Sequence, residues 1–240
     1  VTTEAPERGT RDARARRARR RRPSALTTLG VALLVAGLAC LGWVGYQYVG
    51  TNVVAERTFD QQTQGLREQW RSAPPPAPPA GDPGVATGRT AEVPGSAIAL
   101  LRVPRFGDTY EVPVVAGTDL RDLSRGVGHY DETAAPGEVG NFAVAGHRVT
   151  HGEPFAKLLT LRKGDRVVVE TRAAVFTYVM DTSPADLTVE ETAGWVLDPV
   201  PDQPGADPTR ALITLTTCQD LFHSPDRSVG FGHLESTRNK

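Results

Sequence analysis

A thiol, an imidazole and a guanidinium, the three groups that together can carry acyl transfer, fall in the second half of the chain. Cys218 closes the run Thr214-Leu215-Thr216-Thr217-Cys218, whose composition suits a β-strand, and the polar segment 219–226 follows it. At a strand end the rigid element aims a thiol while the adjoining loop leaves it accessible. Strand alternation puts Leu212, Thr214, Thr216 and Cys218 on one face. On position alone Cys218 also reads as a small buried hydrophobe, as most free cysteines are. His147 follows a second strand-like run, Ala143-Val144-Ala145-Gly146, in which Gly146 permits a sharp turn or a close backbone approach. Taken singly, His147 reads as a satisfied structural side chain. Arg227 stands nine residues after Cys218 and opens Ser228-Val229-Gly230-Phe231-Gly232-His233-Leu234. That strand can pair with 211–217 and bring the guanidinium beside the thiol; without such a partner Arg227 is a surface charge.

The elements that must position these groups are strands. Runs at 97–103, 110–115, 141–146, 166–171, 174–181, 211–217 and 227–234 are short, alternating or β-branched, and bounded by Gly, Pro and Asp. The runs 166–171 and 174–181 read as a hairpin. Short helices are expected at 118–124 and at 154–161, the second with Phe155, Leu158 and Leu159 on one face. Many short strands with two brief helices favour a closed or nearly closed β-barrel over a parallel α/β sheet. This catalytic domain is expected to span 96–240, a length able to bury about two thirds of the surface its unfolded chain exposes.

What precedes it is not built like a folded domain. Residues 1–24 form a basic tail: nine arginines against three acids in 1–22 give +6, so the remainder carries −7 of the formal −1 total. A basic arm on an acidic body would suit nucleic acid, but the next segment argues otherwise. No charged side chain occurs from Pro23 to Asn52, and the run 25–50 is long enough to cross a bilayer as a helix. Trp43, Tyr46 and Tyr48 suit the outer interfacial belt, and the arginines would hold the N-terminus in the cytoplasm. The expectation is an uncleaved single-pass signal-anchor that contacts membrane lipid through 25–50, with the catalytic domain extracytoplasmic and no nucleic-acid partner. Residues 51–95 read as a polar juxtamembrane stalk that can continue the membrane helix by a few turns, followed by a linker, since Ala73-Pro74-Pro75-Pro76-Ala77-Pro78-Pro79 forbids helix and makes an extended spacer. Cys40 falls in the span and Cys218 in the domain, so the two are not expected to pair, and Cys218 is a candidate reactive thiol.

Taken together and in chain order, Gly146-His147-Arg148, Thr214-Leu215-Thr216-Thr217-Cys218 and the arginine of Ser224-Pro225-Asp226-Arg227 resemble the signature of sortases over 96–240. The segments Gly126-Val127-Gly128-His129-Tyr130 and Pro136-Gly137-Glu138-Val139-Gly140-Asn141-Phe142 are similar to those of class D and class E, and the Ala-, Arg- and Pro-rich composition favours class E of actinobacteria. One departure is Gln219-Asp220, where many relatives carry His-Pro or Asn-Pro.

The resemblance implies a closed eight-stranded sortase-type β-barrel with short helices, preceded by the transmembrane helix. It implies Cys218 as nucleophile, His147 as acid/base partner and Arg227 as oxyanion stabiliser, with Tyr130, Thr217, Thr216 and His129 as candidate substrate contacts. The implied reaction cleaves a C-terminal sorting signal of the LAXTG or LPXTG type at Thr-Gly through a Cys thioester. The protein so released passes to a peptidoglycan-precursor amine of the cell wall. No cofactor or metal is expected: His151 lies four residues after His147, but no paired metal-ligand motif accompanies it, and no acidic cluster suits calcium. His223 reads as a loop side chain. Two other classes share the residues: a cysteine peptidase that releases its acyl-enzyme to water, and a non-catalytic anchored binding domain.

Overall fold

The computed structural model describes residues 24–72, 93–218 and 225–240, apart from the side chain of Cys218. The arginine-rich tail, the proline-rich run and the loop 219–224 with His223 lie outside the described residues. Two units divide the chain, one ending at Trp43 and the other beginning at Val44.

The first unit contains most of α1, Ala25–Gly45. Its 21 residues carry no charge, and Leu33, Leu34 and Leu38 are more than half exposed. At 1.5 Å per residue this helix is about 30 Å long, so it is long and apolar enough to cross a hydrocarbon core.

In the second unit a five-residue π-helical segment, Tyr46–Gly50, leads into α2, Thr51–Ser72. Among the described residues nine strands follow: β1 Ala97–Arg102, β2 Glu111–Ala116, β3 Val127–His129, β4 Gly140–Gly146, β5 Arg166–Glu170, β6 Ala174–Met180, β7 Thr188–Glu190, β8 Ala211–Cys218 and β9 Asp226–Asn239. Eight of them close into a barrel in the order β6-β5-β1-β2-β3-β4-β8-β9, with β9 returning to pair with β6; β7 adds to the free part of β9. The pairs β2–β3 and β4–β8 are parallel and the others antiparallel. Closure removes sheet edges, which is how so many short strands become stable. The interior is filled by alternating residues, among them Leu101, Val114, Val127, Phe142, Val144, Val169, Tyr178, Ile213 and Leu215, all fully buried.

The hairpin β5–β6 forms as its pattern predicts. Helix is scarcer than the sequence suggests. The segment 118–124 supplies only the single turn α3, Leu120–Leu123, and 154–161 consists of turns and a 3-10 turn at Leu158–Thr160. Phe155 and Leu158 are nevertheless fully buried and Leu159 partly so, which makes the apolar pattern a core signal without being a helical one. Strands β3 and β7, three residues each, are too short for periodicity to reveal.

The segment read as a polar stalk lies against the barrel. Ala55, Phe59, Gln62 and Leu66 recur at the spacing of one helix face; Ala55, Phe59 and Leu66 are buried, and Gln62 donates to the Gly95 carbonyl. Burying side chains such as Phe59 and Leu66 stabilises the packed helix by about 2 kcal/mol each. Arg67 pairs with Glu111 at 2.8 Å, and Lys240 stands 4.3 Å over the Trp70 ring while bridging to Glu170.

Candidate active site

Strand register brings the three sequence-predicted residues to one end of the barrel. In the parallel β4–β8 pair Gly146 is the partner of Thr217, so the next residues along the two strands are His147 and Cys218. In the antiparallel β8–β9 pair Cys218 is the partner of Arg227, which on its other side faces Val189 of β7. At the level of the backbone, position 218 therefore lies between 147 and 227. Neighbouring strands stand about 4.8 Å apart, which sets the backbone separation of these positions.

The threonines of the Thr-Leu-Thr-Thr-Cys run hold that register. Thr217 donates its hydroxyl to the Gly146 carbonyl at 2.8 Å, Thr216 donates to the Val144 carbonyl at 3.3 Å, and Thr214 donates to Oδ1 of Asn141 at 2.7 Å. Each joins β8 to β4, and all three threonines are buried. Asn141 also donates through Nδ2 to the carbonyls of Val196 and Asp198, at 3.0 and 3.1 Å, tying the long β7–β8 connection to the same two strands. The pairing of Asn141 with Thr214 follows only once β4 and β8 are known to be neighbours.

His147 leaves β4 with its backbone carbonyl accepting from the Phe155 N–H at 2.9 Å. A Cβ on Gly146 would stand 2.7 Å from the Phe155 ring, so glycine is what lets Phe155 pack beneath the histidine. The His147 imidazole stacks on that of His151, centroids 4.9 Å apart and planes at 26°. Partial burial lowers the His151 pKa and favours its neutral form, and its Nδ1 lies 2.9 Å from the Thr150 hydroxyl. The loop beyond His147 is unusual in backbone. Thr150, His151, Gly152 and Glu153 take φ of 64°, 50°, 82° and 48°, four successive left-handed residues of which only one is glycine. Each non-glycine residue held there costs about 1–2 kcal/mol, so contacts from outside must hold the loop.

Arg227 donates from one terminal nitrogen to Glu191 at 3.0 Å and from the other to the Asp226 carbonyl at 3.3 Å. Glu191 lies in the turn just after β7, a strand too short to give a sequence signal, so the pairing is visible only in the structure. The candidate substrate contacts divide. Tyr130 is half-buried with its hydroxyl 3.5 Å from that of Thr216, at the edge of the same region. His129 is 4 % exposed, packs on the Phe142 ring and lies 3.0 Å through Nε2 from the Ala134 carbonyl, the geometry of a brace within the wall. Thr216 and Thr217 spend their hydroxyls on β4.

The closed barrel thus brings the cysteine, histidine and arginine positions to one end on adjoining strands. Residues 101–235 match the family model described as Sortase domain, and the chain belongs to the sortase family, whose members are cysteine transpeptidases. It is 36% identical over 239 residues to sortase SrtE1 of Streptomyces coelicolor, covering 93% of this chain and 62% of that protein's length. Among solved structures, sortase E of Streptomyces avermitilis is 41% identical with a TM-score of 0.55, over 61% of this chain and 93% of that one. Sortase E1 of Streptomyces coelicolor with a tripeptide in its active site is 38% identical with a TM-score of 0.53, over 62% and 94%. These relatives carry the class E likeness read from the sequence.

Proposed function

We propose that this chain is a membrane-anchored transpeptidase of class E type, in which Cys218 is the nucleophile, His147 the proton-transfer partner and Arg227 the oxyanion stabiliser. The observation that carries the proposal is the register of three strands: Gly146 opposite Thr217, and Cys218 opposite Arg227. In the first half-reaction the Cys218 thiolate attacks the threonine carbonyl carbon of the sorting signal. The C–S bond forms, negative charge gathers on the carbonyl oxygen, and the Arg227 guanidinium donates to it, a contribution of about 3 kcal/mol for one such donor. Collapse breaks the Thr–Gly C–N bond as the His147 imidazolium gives its proton to the departing glycine amine. In the second half-reaction a cell-wall amine attacks the thioester, passes a proton to the imidazole, and expels the thiolate.

The tripeptide held in the active site of the Streptomyces coelicolor relative supports a peptide substrate. Tyr130, beside Thr216, is proposed to read the second residue of the signal, where the two signal types differ. The charge-free helix and the arginine-rich tail before it support an anchor with its N-terminus in the cytoplasm and the barrel outside.

Incubation with LAXTG and LPXTG peptides, with and without a glycine amine, tests this reading. The expected product is the amine conjugate, with the LAXTG peptide turned over faster. Hydrolysis that added amine never diverts would make the protein a peptidase, and absence of turnover with either peptide would make it a binding domain.

A further inference from the structure

The four left-handed residues after His147 are held by the first turns of α2. The His151 N–H points at the Thr51 hydroxyl at 3.4 Å, and the Gly152 N–H donates to Oδ1 of Asn52 at 2.9 Å. Nδ2 of the same Asn52 donates to a Glu153 carboxylate oxygen at 2.6 Å. The Phe59 ring closes over Gly152, where a Cβ would meet it at 2.7 Å. A strained backbone of this kind persists only where surrounding groups over-determine it, and here those groups come from a helix some hundred residues earlier in the chain. The held loop reaches the proposed chemistry directly, since His151 stacks on His147.

We infer that Asn52 is a positioning residue for His147, acting through the loop 150–153 and the His151 ring, so that α2 is part of what sets the catalytic geometry. The inference rests on the proposed role of His147. A carboxamide is suited to the task because one end accepts from a backbone N–H while the other donates to a carboxylate; an aspartate would accept from Gly152 but repel Glu153. Release of the loop would free the stacked imidazole to move, and small displacements of a reacting group are expensive in rate.

The test uses the full chain in detergent micelles with the LAXTG peptide and a glycine amine, together with the His147 ring resonances in the NMR spectrum. Asn52→Ala is expected to lower kcat about tenfold with KM within about twofold, and to move the His147 resonances while unfolding stays cooperative. Asn52→Asp is expected to be as slow. Combining it with Glu153→Gln reverses donor and acceptor, and should return kcat to within about twofold of the parent. Should Asn52→Ala fail to fold cooperatively, this exchange decides: recovery only in the pair supports positioning, and equal rates in Asn52→Asp and the pair overturn it. Unchanged kcat with unmoved His147 resonances in a folded Asn52→Ala also overturns it. Failure of the parent reading shows separately, as undiminished turnover in His147→Gln.

Discussion

Thr217 donates its hydroxyl to the backbone carbonyl of Gly146, one residue before the proposed nucleophile and one residue before the proposed proton carrier. This bond, 2.8 Å long and buried, makes the separation of Cys218 and His147 a property of the sheet rather than of their side chains. Thr217→Val keeps the shape and removes the donor. It is expected to destabilise by about 1–3 kcal/mol, the cost of leaving a buried acceptor unsatisfied, and to lower the acylation rate more than it raises KM. Thermal unfolding and single-turnover kinetics on the same preparation check both parts.

Asn141→Ala should be the more damaging change, because it releases Thr214 and the carbonyls of Val196 and Asp198 at once. The expected signature is a melting temperature lower by about 5 °C or more, with KM for the peptide raised as the β7–β8 connection loosens. Hydrogen exchange localised to that connection would separate this from general destabilisation.

Arg227 and Glu191 make a pair of unequal importance. Arg227→Ala is expected to slow acylation about a hundredfold or more, the usual loss for an oxyanion donor. Glu191 is half-exposed, so the ion pair adds little to stability. Glu191→Gln should leave the melting temperature nearly unchanged and alter the acylation rate by about fivefold at most, since a surface pairing carries below about 1 kcal/mol.

His151 gives the fold a pH dependence whose sign is fixed by its environment. Burial lowers its pKa, so the unfolded chain binds this proton at a higher pH than the folded chain does. Stability from this group is complete above the ordinary histidine value of about 6.5 and is lost as pH falls below it. His151→Gln should therefore flatten the fall in melting temperature between about pH 7.5 and 5.5 relative to the parent. An equal or steeper fall would contradict the assignment.

Much of this architecture could be read from the sequence because its determinants are local. Thr214 to Cys218, Gly146-His147 and Arg227 announce strand ends, and the charge-free run announces a long apolar helix. What escaped was long-range. Ala55, Phe59, Gln62 and Leu66 form a helix stripe, but the charges around them masked it, so a helix that packs on the barrel read as a stalk. The clamp of Asn52 on Gly152 and Glu153 spans about a hundred residues, and short polar side chains carry no pattern that names such a partner. Glu191 and the three-residue β7 escaped for a related reason: a segment that short has no period.

Mass spectrometry of the protein after brief exposure to the sorting peptide without amine decides whether Cys218 is the nucleophile. The acyl fragment ending in threonine is expected on Cys218, released as a conjugate when a glycine amine is added, and absent from Cys218→Ala. An adduct on another residue, or one that survives in Cys218→Ala, would contradict it.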